Sequence, residues 1–509
     1  MTNAKVLLVF LLLAVTGCAS LRDGQRDQQP PTELAKSSVA SCKEHFNDLD
    51  AAIHTAGVRD GSEARMENFP NLRANRFFAS FAVDFKTEDA RASAHFASWI
   101  TELRRLDHAA REAEISNLPV AAATKLRMSK SAIPAITVDC AALMMNADMN
   151  SATRRADMVA AARVPDDYSA FKRLIGLYPL AKIPFFRGVE GWQRGAATKI
   201  QRAESIPPSA HSVTRYSPST ISSTENIYLK FRNARRSSLG IPSLSADEWM
   251  QLFDAHAPIF EVETASDDDR IGTLQWRNGA ALGDAPLVDT ARPSIYRRIS
   301  YTRMGGKTYA QLVYSAWFPS RPREQLFDLL SGALDSVIWR VTLDDDGTSL
   351  IYDSIHGCGC YHLFFPTSRM KLKPPPKINI EWAFVPTIAP SIEPSQRIIL
   401  QIASTSHYIV GVKSSTSANK NAQSKTYQWR EEEELRSLPL TDGFTRSVFQ
   451  SDGLISGTER GERFLFWPMG ISSPGAMRQW GQHATAFVGV RHFDDADLFG
   501  ARFAVASKP

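Results

Sequence analysis

No apolar run in this chain is long enough to cross a bilayer. The longest, Val6 to Val15 (VLLVFLLLAV), is half of the about 20 residues that a membrane helix needs. Cysteine is scarce, 5 in 509 residues, which excludes a disulfide-dense scaffold. Charge of one sign is lacking too: 59 Lys and Arg stand against 54 Asp and Glu, a net +5. No Lys/Arg stripe alternates with aromatics, so nothing points to nucleic acid as a partner. The common catalytic signatures are incomplete. Gly306-Lys307-Thr308 ends like a phosphate loop, but Tyr301 holds the place of the first Gly. Gly470-Ile471-Ser472-Ser473-Pro474 has Pro474 where a nucleophile elbow closes on Gly. There is no His-Glu-x-x-His, and the runs Asp267–Asp269 and Asp344–Asp346 lack calcium-loop spacing and read as solvated turns.

What is present begins at the N-terminus. Lys5, the apolar run to Val15 and the break at Thr16-Gly17-Cys18 have the layout of a secretory signal. Val15-Thr16-Gly17-Cys18 resembles the lipobox of bacterial lipoproteins. That resemblance implies cleavage after residue 17, an acylated (palmitate-type) Cys18 as the first residue, and a membrane partner reached through that lipid. Ala19 and Ser20 follow without the Asp that marks inner-membrane retention in many lipoproteins. The expected place is therefore the cell envelope, at the outer membrane facing the periplasm. Residues 18–40 are polar and Pro-containing, and read as a tether.

Four cysteines remain after Cys18, an even number in an oxidising compartment. Of the three pairings, Cys42 with Cys140 is favoured because both fall in one helical region. Residues 41–200 read as helical. Thr87 caps a helix in which Phe96, Trp99, Ile100, Leu103 and Leu106 recur at helical spacing, and Asn117-Leu118-Pro119 ends it. Further helices are expected at Ala152–Ala162 and around Tyr168–Ile175. Leu177 to Trp192 (LYPLAKIPFFRGVEGW) is too apolar for a free loop and too broken by Pro and Gly for a helix. It reads as a segment packed on the next domain, or as a membrane or protein contact. His45, His54, His95 and His108 lack paired spacing and read as ordinary helix residues.

Residues 201–240, rich in Ser, Thr, Arg and Pro, read as an irregular linker. Ser245-Ala246-Asp247-Glu248 opens a helix as a capping box. Beyond it, in residues 241–509, the apolar period becomes two. Thr308–Phe318 reads as a strand. Val337–Leu343 and Ser349–Ile355 read as a hairpin around an Asp-Gly turn, and Arg397–Ala403 with Ser406–Val412 as another pair. Phe464–Trp467 and Ala486–Arg491 read as further strands. The fold class is α+β, a helical N-terminal domain followed by a β-rich, sandwich-like domain or curled sheet. Ala257-Pro258-Ile259-Phe260, Tyr309–Tyr314, Trp339–Leu343 and Tyr352–His356 together are distantly similar to the vacuolar-sorting-associated β-sandwich proteins, which implies a sandwich and no functional residue.

The densest chemistry is His356-Gly357-Cys358-Gly359-Cys360-Tyr361-His362. Its thiols and imidazoles are the donors that Zn or Cu prefers. In an extended strand the two histidines would stand about 20 Å apart, so a four-ligand site requires the glycines to fold the segment back. Otherwise two or three of these residues ligate with a distant one such as His407 or His483. A Cys358–Cys360 disulfide and a catalytic thiol with a His base are the other readings. The tail from Gly457 to Phe499, dense in charge and aromatics, reads as a pocket wall or as an ion-paired sheet face. Two functions follow. One is a lipid-anchored envelope protein with a binding or structural role and a possible envelope protein partner. The other is a metal-dependent envelope enzyme, hydrolase or redox, centred on residues 356–362.

Overall fold

The computed structural model describes residues 38–203, 212–219, 225–281, 283–393, 396–417 and 422–506. The signal (1–17), Cys18 and nearly all of the tether lie outside them. Among the described residues no helix is long and apolar enough to cross a membrane.

The first helices are α1 (Val39–Ala56), α2 (Ala94–Asn117) and α3 (Ile133–Met149). Ser38 opens α1 by accepting from the Ser41 amide, which places the helix start inside the expected tether. Thr87 caps only a four-residue helix, Glu88–Arg91, and Ser93 starts a second cap that opens α2. The apolar stripe of α2 is buried as its period predicts. Between α1 and α2 lies a hairpin, Ala64–Met66 with Phe69–Ala74, which the sequence reading missed. Cys42 and Cys140 are joined in a disulfide between α1 and α3. Then come α4 (Ala152–Ala161), α5 (Ala170–Ile175) and α6 (Tyr178–Ala203). The segment judged too broken for a helix is therefore helical, with Pro184 inside it. A proline in the first two turns removes only one bond of the ladder, and packing on one face of α6 outweighs that loss.

The expected linker, where it is described, is structured as well. Ser212–Pro218 forms β1, and Glu225–Asn233 forms α7. Helix α8 (Ala246–His256) opens with the expected Ser245–Glu248 capping box. The other strands of the large sheet are β2 (Ile259–Thr264), β3 (Ser294–Met304), β4 (Lys307–Arg321), β5 (Gly332–Leu343), β6 (Ser349–His356), β7 (Leu363–Pro366), β8 (Ile398–Ile402), β9 (Ile409–Ser414) and β10 (Gln423–Glu431). They form one sheet in the order β7-β6-β5-β4-β3-β10-β1-β2-β8-β9. The fold is α+β, and of the two β-forms expected it has the single large sheet.

That sheet is spliced in the middle. Gln423–Tyr427 of β10 run parallel to β1, and Gln428–Glu431 run parallel to β3. One strand thus passes from one half-sheet to the other. Both halves share a core: Tyr216, Phe260 and Leu400 from one pack with Tyr314, Trp339 and Val341 from the other, under Phe231 of α7 and Phe253 of α8. β4 and β5 are buried on both faces, as central strands covered on each side must be. Phe464–Trp467 and Ala486–Arg491 are not strands. Arg463–Phe466 is one helical turn, α9, continued by a 3-10 turn at Trp467–Met469. Four consecutive apolar residues carry no period that could separate a strand from a helical turn.

Candidate ligand site

The segment 356–362 forms the tight connection between β6 and β7. His356 N–H donates to Cys360 O, and Gly359 N–H to His356 O. Gly359 has φ +88°, and a Cβ there would meet Ala484 O at 2.5 Å, so only glycine fits. The pairing of β6 with its neighbours then separates the two histidines. His356 stands opposite Val337 of β5, on the face of Trp339 and the main core. Ser354 pairs with Leu363, so His362 shares the other face with Asp353 and Phe364. His356 Nδ1 lies 3.3 Å from Asp335, and His362 Nε2 lies 2.9 Å from Asp353.

The expected four-ligand metal site of His356, Cys358, Cys360 and His362 is therefore not assembled, because the register places its two imidazoles on opposite faces. Among the described residues no three His, Cys, Asp or Glu side chains converge to hold a metal ion, and neither His407 nor His483 completes a set. Cys358 and Cys360 are free thiols rather than a disulfide. A hydrogen bond from Cys360 lowers the Cys358 pKa and raises that of Cys360. No imidazole among the described residues hydrogen-bonds to either sulfur, so the thiol-with-base arrangement is not formed.

What the connection does build is the floor of a cavity of about 600 Å³, within the usual ~300–1,000 Å³ of small-molecule sites. Cys358, Gly359, Cys360, Tyr361 and His362 line it. Its roof is one face of α6, with Phe185, Gly188, Val189 and Trp192 at helical spacing. Leu465 and Phe466 of α9 form the rim, and Ile471 and Ala484–Phe487 the far wall. Phe185 and Phe466 meet edge to face at 5.3 Å, and Phe466 meets Phe487 at 4.9 Å. Its lining is mainly apolar. The tail residues 457–499 do supply a pocket wall, and Glu462, Thr485 and Arg491 are its polar part. Outside the cavity, α5 and α6 expose Phe171, Leu174, Leu180 and Ile183, and α9 exposes Phe464.

A second chamber of about 180 Å³ lies beyond Trp192, Tyr361 and Tyr408, which line both spaces. The three rings stand 4.6–6.1 Å apart by centroid. His356 faces this smaller chamber. Behind it is a buried charge cluster. Asp335 accepts from His407 Nδ1 at 2.9 Å and has Arg460 at 3.4 Å. His407 Nε2 lies 3.4 Å from Asp269, an ion-pair distance without hydrogen-bond alignment. Burial favours neutral Asp335, but His356 and Arg460 outweigh it and hold its carboxyl well below the usual range. Burial likewise disfavours charged His407, yet Asp269 and Asp335 raise its pKa. Asp269, read from sequence as part of a solvated turn, is fully buried and accepts from the amides of Ala265, Ser266 and Thr405.

Four non-glycine residues with left-handed backbone surround this region: Leu334 before Asp335, Tyr361 before His362, Thr405 and His407 itself, at φ +54°, +60°, +60° and +51°. Such strain collects at sites that the surrounding structure over-determines. Glu462, on the cavity wall, is pushed by burial up to about 7. Sequence reasoning named residues 356–362, the tail with Glu462 in it and the segment that ends at Trp192, but it did not single out Asp335, which has no local motif. No family model, curated protein or solved structure matches this chain.

Proposed function

We propose that the chain is a lipid-anchored bacterial cell-envelope protein with a binding role, and that its ligand is an apolar molecule held beneath α6. The observation that carries the binding role is the cavity of about 600 Å³, lined mainly by apolar side chains with a few polar groups at one wall. The elements at its rim, α5, α6 and α9, also expose apolar side chains to solvent. The anchor rests on the resemblance of Val15–Cys18 to a lipobox. Two acyl chains hold a protein to a membrane far better than one.

One set of variants tests both parts. Val189→Trp fills the cavity from its roof. It is expected to abolish binding of a fluorescent alkyl probe with the thermal midpoint little changed, since Val189 is only half-buried. Unchanged probe binding in that variant refutes the ligand site. Cys18→Ser is expected to release the protein from membranes and to end acyl labelling. Retention with undiminished label refutes the anchor.

A further inference from the structure

Glu462 is the charge in the cavity that nothing answers. Among the described residues the lining holds two carboxyl groups, Glu381 and Glu462, and one guanidinium, Arg491. Glu381 and Arg491 face each other at 3.8 Å. Glu381 also accepts from the amides of Phe487 and Val488, and Arg491 donates to Thr485 and to the carbonyls of Glu381 and Trp382. Glu462 has no such partners. Neither of its carboxyl oxygens accepts a hydrogen bond from a described residue, and neither is closed off from solvent. The residue is only 4% exposed, and it lines the cavity. The nearby cations are committed elsewhere: Arg460 to Asp335 and to the carbonyls of Leu330 and Leu334, Arg478 to those of Cys358, Ser472 and Ser473, and Arg321 to the Tyr408 hydroxyl. Gly475, at φ +86°, keeps the space for this carboxyl, because a Cβ there would overlap Glu462 Oε1.

A buried carboxylate without a partner is costly, and a ligand that brings the opposite charge removes that cost. The rest of the lining suits a cation as well. Six rings, those of Phe185, Trp192, Tyr361, Tyr408, Phe466 and Phe487, line the same space, and all six residues are only partly buried. Aromatic faces attract a cation that has left water. Phe466 stands on the turn that Glu462 opens and donates its amide to Glu462 O, so ring and carboxyl belong to one turn. A carboxylate head would meet Glu462 as a like charge, and a hydroxyl head would bring no charge to balance it. A primary ammonium brings both the charge and three N–H donors, and its hydrogen bonds to a carboxylate are of the charge-assisted kind.

We infer that the cavity selects a cationic amphiphile, an alkyl chain with a primary ammonium head, with Glu462 as the counter-ion and the surrounding rings as the cage for its charge. This rests on the binding role proposed above and adds the head group. The test uses the full chain and three probes, dodecylamine, 1-dodecanol and dodecanoate, ranked by displacement of a neutral fluorescent alkyl probe. At about pH 8 the amine is protonated and dodecanoate is ionised. Glu462, pushed by burial up to about 7, is ionised there too. Dodecylamine is expected to bind roughly ten-fold tighter than dodecanol, because its head makes charge-assisted hydrogen bonds and cation–π contacts that a hydroxyl does not, and dodecanoate is expected to bind least. Glu462→Gln keeps the size of the side chain and an acceptor oxygen but removes the charge. It is expected to bring dodecylamine down to the affinity of dodecanol and to leave dodecanol unchanged, and a preference that survives this change overturns the inference. Val189→Trp is expected to abolish displacement by all three, which places the binding in the cavity. If Glu462→Gln fails to fold, the ranking on the unaltered chain still decides. Dodecanol or dodecanoate binding as tightly as dodecylamine overturns the selectivity and leaves the apolar site standing. Failure of all three to bind overturns the ligand site itself.

Discussion

His256 reports on the interior without touching the cavity. Its Nε2 donates to Gly347 O at 2.9 Å and its Nδ1 accepts from Ser349 Oγ at 3.2 Å, so both nitrogens are satisfied in the neutral form. Burial pushes its pKa down to about 4, and those of His362 and His483 down to about 3. In the unfolded chain each takes up a proton near its ordinary 6.5. Between that pH and the folded values the unfolded state binds more protons. The stabilisation is therefore complete above about 6.5 and lost as pH falls, at up to about 1.4 kcal/mol per unit for each ring. Denaturant midpoints are expected to fall steeply from pH 6.5 toward 4.5. His256→Gln is expected to remove about one proton from that slope, and an identical slope in the variant would count against the buried neutral state.

At the scale of elements, the Cys42–Cys140 bridge fastens α1 to α3 across a separation of 98 residues. In the chain-entropy model such a closure contributes about 4–5 kcal/mol, less where the unfolded state retains structure. Replacing both cysteines by Ala is expected to lower the denaturant midpoint and to raise the m-value, because the denatured chain without the cross-link exposes more surface, and a variant as stable as the parent would contradict this. The bridge was legible because few pairings remained once Cys18 was set aside. The β5–β6 hairpin was legible because alternation and an Asp-Gly turn agree. The Ser245 cap was legible because the capping box is a local pattern. Other elements depend on distant partners. Helix α6 tolerates Pro184 because Phe185 and Trp192 pack on residues hundreds of positions later. The strand Ser212–Pro218 was hidden in a polar stretch because its neighbours, β2 and β10, supply the pairing. The split of His356 from His362 follows from Ser354 opposing Leu363, and no count of residues in one segment reveals a register.

Over the whole molecule, the helical and β-rich regions are not independent bodies. Arg436 of the C-terminal half donates to Asp60 at 2.8 Å, and Gln479 donates to the same oxygen at 3.0 Å. Arg76 reaches Asp494 at 3.0 Å, and Tyr168 donates to Ala486 O at 2.8 Å. Trp192 from the helical half roofs a cavity whose floor belongs to the sheet. The cavity thus exists only when both halves are in place, which is why neither half alone disclosed it. The splice strand β10 extends this dependence into the order of events during synthesis. Everything that flanks it, from β1 to β9, leaves the ribosome earlier. Until residues 423–431 arrive, β1 and β3 each hold an open edge with unpaired amides and carbonyls. A chain of this topology, rich in pairings between distant residues, closes late and slowly. In the exported protein proposed above, which would be threaded through a translocation channel before it folds, a sheet whose keystone is made last delays the moment at which threading becomes impossible.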